Sequence, residues 1–384
     1  MTAFRSPSPR RCAASCIAAL ALALAAGANA QVRVDVTPLV TDDPLAHAGQ
    51  IVDAGLVNAW GLSYSPTSPF WVSANGTNTA TLYNVNPATQ ATSKAALTVS
   101  VPVGGVTGQV FNGAASAGAF NGDNFLFVGE DGTIAGWRGA LGTTAEKLQL
   151  DSGANVYKGA AFAMQSGNSY LYAANFRSGA IDVLKGSPLA PALTGKFTDP
   201  GLPNGYAPFN IQNLAGTMYV TYALQDAFKH DELAGAGRGF VDSFDLQGNF
   251  IARIASGGSL DAPWGLAIAP TSFGALAGSL LVGNFGDGRI SAYDPTSHAF
   301  LGQLAALDGT PLEIDGLWAL APGNDGGAGS SARIYFTAGP DDESHGLFGV
   351  LTPQVAAVPE PATMLMLLPG LAALGAIVRR RRAA

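Results

Sequence analysis

The chain has 384 residues, of which 48% are hydrophobic and only 12% are charged, against roughly 25% charged in ordinary soluble domains. This balance excludes a disordered acidic or basic protein. The 49 glycines and 23 prolines follow no G-X-Y period, which excludes collagen and favours turn-rich β structure. Without residues 1–30 and 358–384 the chain keeps 13 basic and 26 acidic residues, so its body should repel nucleic acid.

The first 30 residues have the pattern of a secretory signal peptide. Basic residues precede an apolar segment at 17–26, and Ala28 and Ala30 form a small-x-small cleavage site. The alternative, a transmembrane helix, needs about 20 apolar residues. Both cysteines, Cys12 and Cys16, lie in this segment, so the predicted mature chain can form neither a disulfide nor a thiolate metal site.

The region between the two ends repeats at intervals of about 50 residues, which is typical of a propeller or solenoid. Five copies of a first strand are visible, at 58–66, 157–165, 207–215, 262–270 and 315–323. Six copies of a second strand read FWVSAN, FLFVGE, YLYAAN, MYVTYA, LLVGNF and IYFTAG, each followed by a turn and a third strand. Fourth strands are predicted at KLQLDS, GKFTDP, NFIARIA and FLGQLAA.

These repeats predict an all-β, six-bladed β-propeller over residues 31–353. The alternative, a β-sandwich, gives no reason for a regular period. Residues 32–40 have no block of their own, and the last block lacks a fourth strand. We therefore predict that this N-terminal strand is the outermost strand of the sixth blade and closes the ring without an exposed edge.

The C-terminal end combines a short motif, an apolar segment and an arginine cluster. A linker at 354–361 precedes 17 uncharged residues at 362–378 and a basic tail at 379–384, which the positive-inside rule places in the cytoplasm. The residues that carry the pattern are Val358, Pro359, Glu360, Pro361, Arg379, Arg380, Arg381 and Arg382. A plain membrane anchor is the alternative that the residues alone leave open.

This pattern resembles the PEP-CTERM sorting signal of Gram-negative bacteria. The resemblance implies an exosortase-type sorting enzyme as partner, with the C-terminal helix in the membrane before processing. It also implies delivery to the cell surface, the outer membrane or the extracellular polysaccharide matrix.

The body of the chain, from about 32 to 352, also resembles an uncharacterised bacterial family of secreted β-propeller-like proteins. Motifs that carry this resemblance include NAWGL at 58–62, YKGAAFA at 157–163 and APWGLAIAPTSFG at 262–274. The family implies a fold and export, but no catalytic residue that could be assigned here.

In a propeller the turns between second and third strands share one face with the starts of the first strands, so residues distant in sequence meet there. Carboxylates, amides and histidines on this face are candidate ligands for Ca²⁺: Glu130, His230, Asp231, Glu232, Asn284, Asp341, Asp342, Glu343 and His345. Solvated loops explain the same residues without a metal. Candidates for a ligand funnel in the channel are Asn58, Trp60, Phe209, Trp264, Asp315 and Trp318, although such rings commonly pack between blades.

Recognisable catalytic motifs are absent from the sequence, including H-E-x-x-H, G-x-S-x-G and the P-loop. The favoured hypothesis is an exported, non-enzymatic surface or matrix protein that binds glycan or another matrix component. The alternative hypothesis is a metal-dependent hydrolase or lactonase on the channel face, which rests on analogy with other propellers.

Overall fold

The computed structural model describes residues 32–149 and 153–354. The predicted signal peptide, linker, sorting helix and arginine tail therefore lie outside the described residues. The described chain is an all-β ring of six blades, so the predicted propeller is confirmed. Within it, no helical segment has the length and hydropathy that a membrane crossing needs.

The strands follow the blades in chain order. Two strands, β1 (Arg33–Thr41) and β2 (Ile51–Val52), precede the first complete blade. The first three blades are β3 (Ala59–Ser63), β4 (Phe70–Ala74), β5 (Thr79–Val85) and β6 (Thr92–Ser100); β7 (Val106–Phe111), β8 (Phe125–Gly129), β9 (Ile134–Trp137) and β10 (Glu146–Gln149); and β11 (Tyr157–Gln165), β12 (Asn168–Asn175) and β13 (Ala180–Lys185).

The other three blades complete the ring. They are β14 (Tyr206–Leu214), β15 (Thr217–Leu224), β16 (Phe240–Phe244) and β17 (Phe250–Ser256); β18 (Pro263–Ile268), β19 (Leu280–Asn284), β20 (Ile290–Tyr293) and β21 (Phe300–Gln303); and β22 (Leu317–Pro322), β23 (Ile334–Ala338) and β24 (Leu347–Gln354) with β1 and β2. Short 3₁₀ segments lie at Asn75–Thr77, Ala115–Ala117, Ala119–Gly122, Gly139–Leu141 and Thr271–Leu276.

The N-terminal strand closes the sixth blade, as predicted. Strand β1 pairs antiparallel with β24, from Arg33 opposite Gln354 to Thr41 opposite Leu347. Its apolar side chains enter the core between blades, where Val34, Leu39 and Val40 are almost completely buried. The strand is not quite outermost, because the two residues of β2 pair with it in parallel.

Two details of the predicted blades were wrong. The third blade has three strands among the described residues, and GKFTDP is not its fourth strand. This segment bonds instead to the hairpin turn of blade 4, where Gly195 N donates to Gln247 O and Phe197 N to Gly248 O. The sequence comparison also missed β7, the first strand of blade 2, because Thr107 and Gln109 stand where most other blades carry apolar residues.

Every inner strand has a register shift against its neighbour close to its start. Such bulges re-aim side chains. The equivalent residues at the six shifts are Trp60, Thr107, Lys158, Phe209, Trp264 and Trp318. Glycines follow four of them and permit close approach of the next blade: a Cβ at Gly61 would lie 2.4 Å from Thr107 O, and one at Gly108 would lie 2.7 Å from Ala160 N. The bulges thus set six side chains at one level of the channel.

Candidate functional site

Aromatic rings fill the middle of the channel. The four predicted funnel aromatics, Trp60, Phe209, Trp264 and Trp318, belong to one buried cluster, and none is more than 5% exposed. Trp60 stacks on Trp318 with ring centroids 3.6 Å apart. Phe285 stacks on the same indole at 4.1 Å. The rings therefore pack against one another, and their contact with a ligand remains a prediction.

A lysine lies at the centre of the acidic groups at one end of this channel. The side chain of Lys158 is 1% exposed, and its Nζ lies 2.5 Å from Oε1 of Glu130 and 3.2 Å from Oδ1 of Asp231. The ammonium also lies 5.2 Å from the centroid of the Trp60 ring, within the range of a cation–π interaction. Asn75 holds the other oxygen of Glu130 through an Nδ2 hydrogen bond of 3.1 Å.

The surrounding carboxylates keep Lys158 charged despite its burial. Burial by itself lowers the pKa of a lysine, because it disfavours the charged form. Here the negative charges of Glu130, Glu232 and Asp231 outweigh that effect and raise the pKa of Lys158 above its usual value. The side chain is therefore a fixed internal cation at neutral pH.

Glu343 completes the acidic group from the opposite side of the ring. Its Oε2 accepts a 2.5 Å hydrogen bond from Nδ2 of Asn58, whose Oδ1 accepts a 2.9 Å bond from the indole N–H of Trp318. Burial and repulsion from Glu232 raise the pKa of Glu343 to about 7. This carboxyl group therefore changes charge near neutral pH. We refer to Glu130, Lys158, Asp231, Glu232 and Glu343 together as the acidic mouth.

The loop of blade 4 supplies the remaining members of the mouth. The pKa of Glu232 is raised, mainly by burial. Asp231 is 62% exposed, and its pKa is lowered because Lys158 and His230 outweigh the effect of burial. Nδ1 of His230 lies 2.8 Å from the same Asp231 oxygen that contacts Lys158. Groups from blades 2, 4 and 6 thus meet at one face, and their role as metal ligands stays a prediction.

Three of these side chains have the spacing of a metal site. Ligand atoms of Glu130, His230 and Asp231 lie within 4.8 Å of one another, a spacing that a cation could bridge. Lys158, however, already contacts the two carboxylates at hydrogen-bond distance. A Ca²⁺ ion at the same oxygens would meet a fixed positive charge, so the set does not fit a metal while Lys158 is protonated.

The other predicted ligands have their own contacts or are exposed. Asn284 is buried and donates from Nδ2 to Asp287 Oδ1 and to Ser259 O. His345 belongs to a second group, in which its Nδ1 lies 3.2 Å from Asp42 Oδ2; this contact raises its pKa. Asp341, in the same loop as His345, donates from its backbone N–H to Oδ2 of Asp315, which was predicted as a funnel residue. Asp342 is exposed.

Lys158 was the main residue that the sequence analysis missed. It lies in the motif YKGAAFA, and the repeat places it at the position that Trp60, Trp264 and Trp318 occupy in other blades. A charged residue in an otherwise largely aromatic repeat position is a signal that an alignment of the six blades could have found. With four carboxyl groups around one ammonium, the mouth keeps an excess of acceptors and negative charge.

Comparison with known proteins adds a sorting signal and relatives. Residues 357–382 match the PEP-CTERM protein-sorting motif, which confirms the predicted resemblance. The motif is typical of exported proteins that an exosortase sorts to the surface of Gram-negative bacteria. The uncharacterised protein R648 of Acanthamoeba polyphaga mimivirus is 32% identical over 311 residues, which cover 77% of this chain and 75% of that protein.

A second mimivirus protein, uncharacterised L690, is 32% identical over 323 residues, covering 78% of this chain and 81% of the relative. These relatives are viral, whereas the sequence resemblance was to a bacterial family. Among solved structures, the PQQ-bound aldose sugar dehydrogenase of Streptomyces coelicolor aligns with a TM-score of 0.48 and 13% identity over 85% of this chain and 99% of that one. This likeness carries no information about activity.

Proposed function

We propose a function for this chain as a member of a family: it belongs with the uncharacterised R648 and L690 proteins of Acanthamoeba polyphaga mimivirus. The protein is an exported surface or matrix component that binds a glycan at the acidic mouth without chemical conversion. The observation that carries this proposal is the buried ammonium of Lys158 among the carboxylates. It fixes the carboxylates as an open, preorganised set of hydrogen-bond acceptors.

Hydroxyl groups are suitable donors to such a set. A carboxylate accepts hydrogen bonds only, and bonds to a charged acceptor are stronger than those between neutral groups. Asp231 is exposed enough to meet a ligand, whereas Lys158 is enclosed. The excess negative charge favours neutral or amine-bearing polymers and repels polymers of uronic acids.

Binding to three soluble polymers tests the proposal. Dextran is neutral, chitosan oligomers carry amines and alginate carries carboxylates, so the acidic mouth should bind the first two and not alginate. Asp231→Asn removes an exposed charge from the mouth without exposing the core, and should weaken binding at least fivefold. Asp308→Asn makes the same charge change in an exposed turn after blade 5 and serves as the control.

Equal binding by the wild type and Asp231→Asn would remove the mouth from the proposal. A wild-type protein that binds none of the three polymers would overturn the glycan proposal itself. Isothermal titration calorimetry gives the dissociation constants for both comparisons.

The proposal also includes processing at both ends. We propose that the signal peptide ends at Ala30 and that an exosortase-type enzyme removes the tail beyond the motif at 358–361. Seventeen apolar residues interrupted by Pro369 form a marginal span. Intact-mass measurement of the surface form should show a chain without the four terminal arginines. A mature chain ending at Ala384 would support the plain anchor.

A hydrolase is the second candidate, and Glu343 is the observation that favours it. A carboxyl group with a pKa of about 7 suits general acid–base catalysis at neutral pH. The metal-dependent form of this hypothesis meets the obstacle of Lys158. Hydrolysis of simple lactones, measured with and without chelator, separates the candidates. Activity that Glu343→Gln abolishes would favour the enzyme, and inert protein that retains polymer would favour the binding function.

A further inference from the structure

A cavity lies at the end of the channel opposite the acidic mouth, beyond the aromatic rings. Its volume is about 330 Å³, and all six inner strands contribute to its wall. The lining residues come mainly from the later parts of these strands, such as Ser63, Phe162 and Pro322. These three are partly exposed, so the cavity opens to solvent at this end.

The wall of this cavity is uncharged. Among the described residues that line it there is no Asp, Glu, Lys, Arg or His. Its wall combines apolar and aromatic side chains, such as Leu62 and Phe162, with amides such as Gln109 and Asn210, and small-molecule sites are lined by such combinations. A charged ligand would lose its hydration here without a partner.

Three polar groups of this wall have no hydrogen-bond partner among the described residues. They are the indole N–H of Trp264, Oε1 of Gln109 and Oγ of Ser63. Trp264 and Gln109 are each only 5% exposed. Nε2 of Gln109 donates to the carbonyls of Gly61 and Trp71, while its oxygen is buried from solvent and has no partner among the described residues.

These groups define what would bind. The indole needs an acceptor, the amide oxygen needs a donor, and a hydroxyl group can serve as either. An unmet buried polar group costs about 1–3 kcal/mol, and a ligand whose hydroxyls meet these atoms when their side chains turn toward the cavity would recover that cost. We propose that this cavity binds one neutral sugar ring. This site is distinct from the acidic mouth, and the inference does not depend on the function proposed there.

Titration of the full chain with three neutral sugars tests the inference. D-glucose, D-galactose and N-acetyl-D-glucosamine are the probes, and tryptophan fluorescence and calorimetry are the readouts. We expect saturable binding of at least one of them. D-glucuronate and D-glucosamine, which carry charges, should bind at least tenfold more weakly. Saturable binding of none of the three neutral sugars would overturn the inference and identify the cavity as a water site only.

Trp264→Phe and Ser63→Ala each remove one unmet group and keep most of the side-chain volume. Each should weaken binding about threefold to tenfold, the range expected for one hydrogen bond. Trp60→Phe is the matched control, because the Trp60 indole N–H is also buried without a partner but the residue does not line the cavity. Unchanged binding in both site variants, or an equal loss in Trp60→Phe, would contradict the site.

Asp231→Asn separates this site from the acidic mouth. Sugar binding that Trp264→Phe weakens and Asp231→Asn does not weaken belongs to the cavity, whereas sugar binding that only Asp231→Asn weakens belongs to the mouth and would contradict the inference. If Trp264→Phe fails to fold, the Ser63→Ala variant and a crystal soaked with the sugar can still show whether the sugar binds in this cavity. Density for the sugar elsewhere on the protein would overturn the inference.

Discussion

Charged groups lie at the end of the channel where the inner strands begin. There Lys158 contacts Glu130, and Glu343 accepts a hydrogen bond from Asn58. At the end where the same strands finish, the cavity wall around Gln109 and Trp264 carries no charge among its described residues. One set of six strands thus produces two different chemical environments. The packed aromatic rings lie between them.

The two ends show that different parts of one repeated strand can serve different sites. The residue at the bulge decides what each blade presents at the beginning of the strand, and one charged substitution in six is enough to create a new site. Residues two to five positions later face the other end. Variants that affect the whole ring, one end of the channel, or the strand region between the ends therefore test whether the two ends are chemically independent.

The largest effect is expected from deletion of residues 31–41, which should disrupt both ends together. The strand buries Val34, Leu39 and Val40, and their exposure costs roughly 5 kcal/mol or more at 1.5–3 kcal/mol each. The unpaired β24 would also become an exposed edge. We expect the melting temperature to fall by about 10 °C or more, as measured by circular dichroism.

Leu45→Ser is the control for this deletion, because Leu45 is 97% exposed in the following loop. It should melt as the wild type does. If the deleted chain melts at the wild-type temperature, the ring does not depend on its N-terminal closure.

The next effect concerns the acidic mouth alone. Lys158→Met keeps a long side chain but leaves Glu130 and Asp231 without their cation. Loss of one partner of a buried ion pair costs about 3–5 kcal/mol, and the partial exposure of the carboxylates places the expected loss near 3 kcal/mol. Urea unfolding measures it. The variant should also gain Ca²⁺ binding, because the fixed cation is gone.

Lys185→Met is the matched control, since Lys185 is exposed in the same blade. It should change the free energy of unfolding by less than about 0.5 kcal/mol. Equal effects of the two variants, or a Lys158→Met protein that ignores Ca²⁺, would show that Lys158 does not organise the mouth.

The sequence was sufficient for the fold because the repeat carries it. Apolar second strands and Gly- or Asp-containing turns recur once per blade. The strand at 32–40 has no block of its own, and the last block had no predicted fourth strand. The departure of GKFTDP from blade 3, which has three strands in the described part of the chain, could not be predicted, because Gly195 and Phe197 bond to a turn in the neighbouring blade. That contact depends on ring geometry, which a local pattern does not contain.

The site was predictable in part for a similar reason. Turn carboxylates such as Glu130 and Glu343 follow from the topology, which places their loops at one face. Lys158 and the partnerless oxygen of Gln109 lie inside strands. A single polar residue there does not change the apolar pattern that predicts the strand. Only comparison of equivalent bulge positions reveals them.

A smaller effect is expected at the boundary between the two ends. A Cβ at Gly159 would lie 2.1 Å from Oδ1 of Asn210 and 2.6 Å from its Cα. Gly159→Ala should therefore force blades 3 and 4 apart and cost about 1–3 kcal/mol. Because Gly159 follows Lys158 and precedes the cavity wall, binding at both ends should weaken, as calorimetry with dextran and with the neutral sugars would show.

Gly139→Ala is the control, because a Cβ there has no heavy atom within 4 Å. Its stability should match the wild type within about 0.5 kcal/mol. If Gly159→Ala is equally harmless, the two blades have more freedom than the close approach indicates.

The smallest effect is a change in pH dependence at the mouth. The pKa of Glu343 is raised to about 7 from a usual 4.5, so the folded protein holds a proton that the unfolded chain releases. The stability that this proton contributes is complete below about pH 4.5 and is lost as pH rises through 7. Glu343→Gln stays neutral, so it should be more stable than the wild type at pH 8 by less than about 1 kcal/mol.

Urea unfolding at pH 5 and pH 8 measures this difference. Glu313→Gln, an exposed carboxyl in blade 5's outer loop, should show no such gain at pH 8. A Glu343→Gln protein that is less stable than the wild type at pH 8 would mean that Glu343 is held charged by Lys158.

The closure of the sixth blade also determines how the protein bears mechanical load. Strand β24 ends at Gln354, and it lies between β1 and β23 in its sheet. A pull on the chain beyond Gln354 therefore acts along a strand that is held on both sides. Such a strand must slide against two ladders at once, whereas an edge strand peels one hydrogen bond at a time. A propeller pulled from its C-terminal end would therefore resist extension through two ladders at the same time.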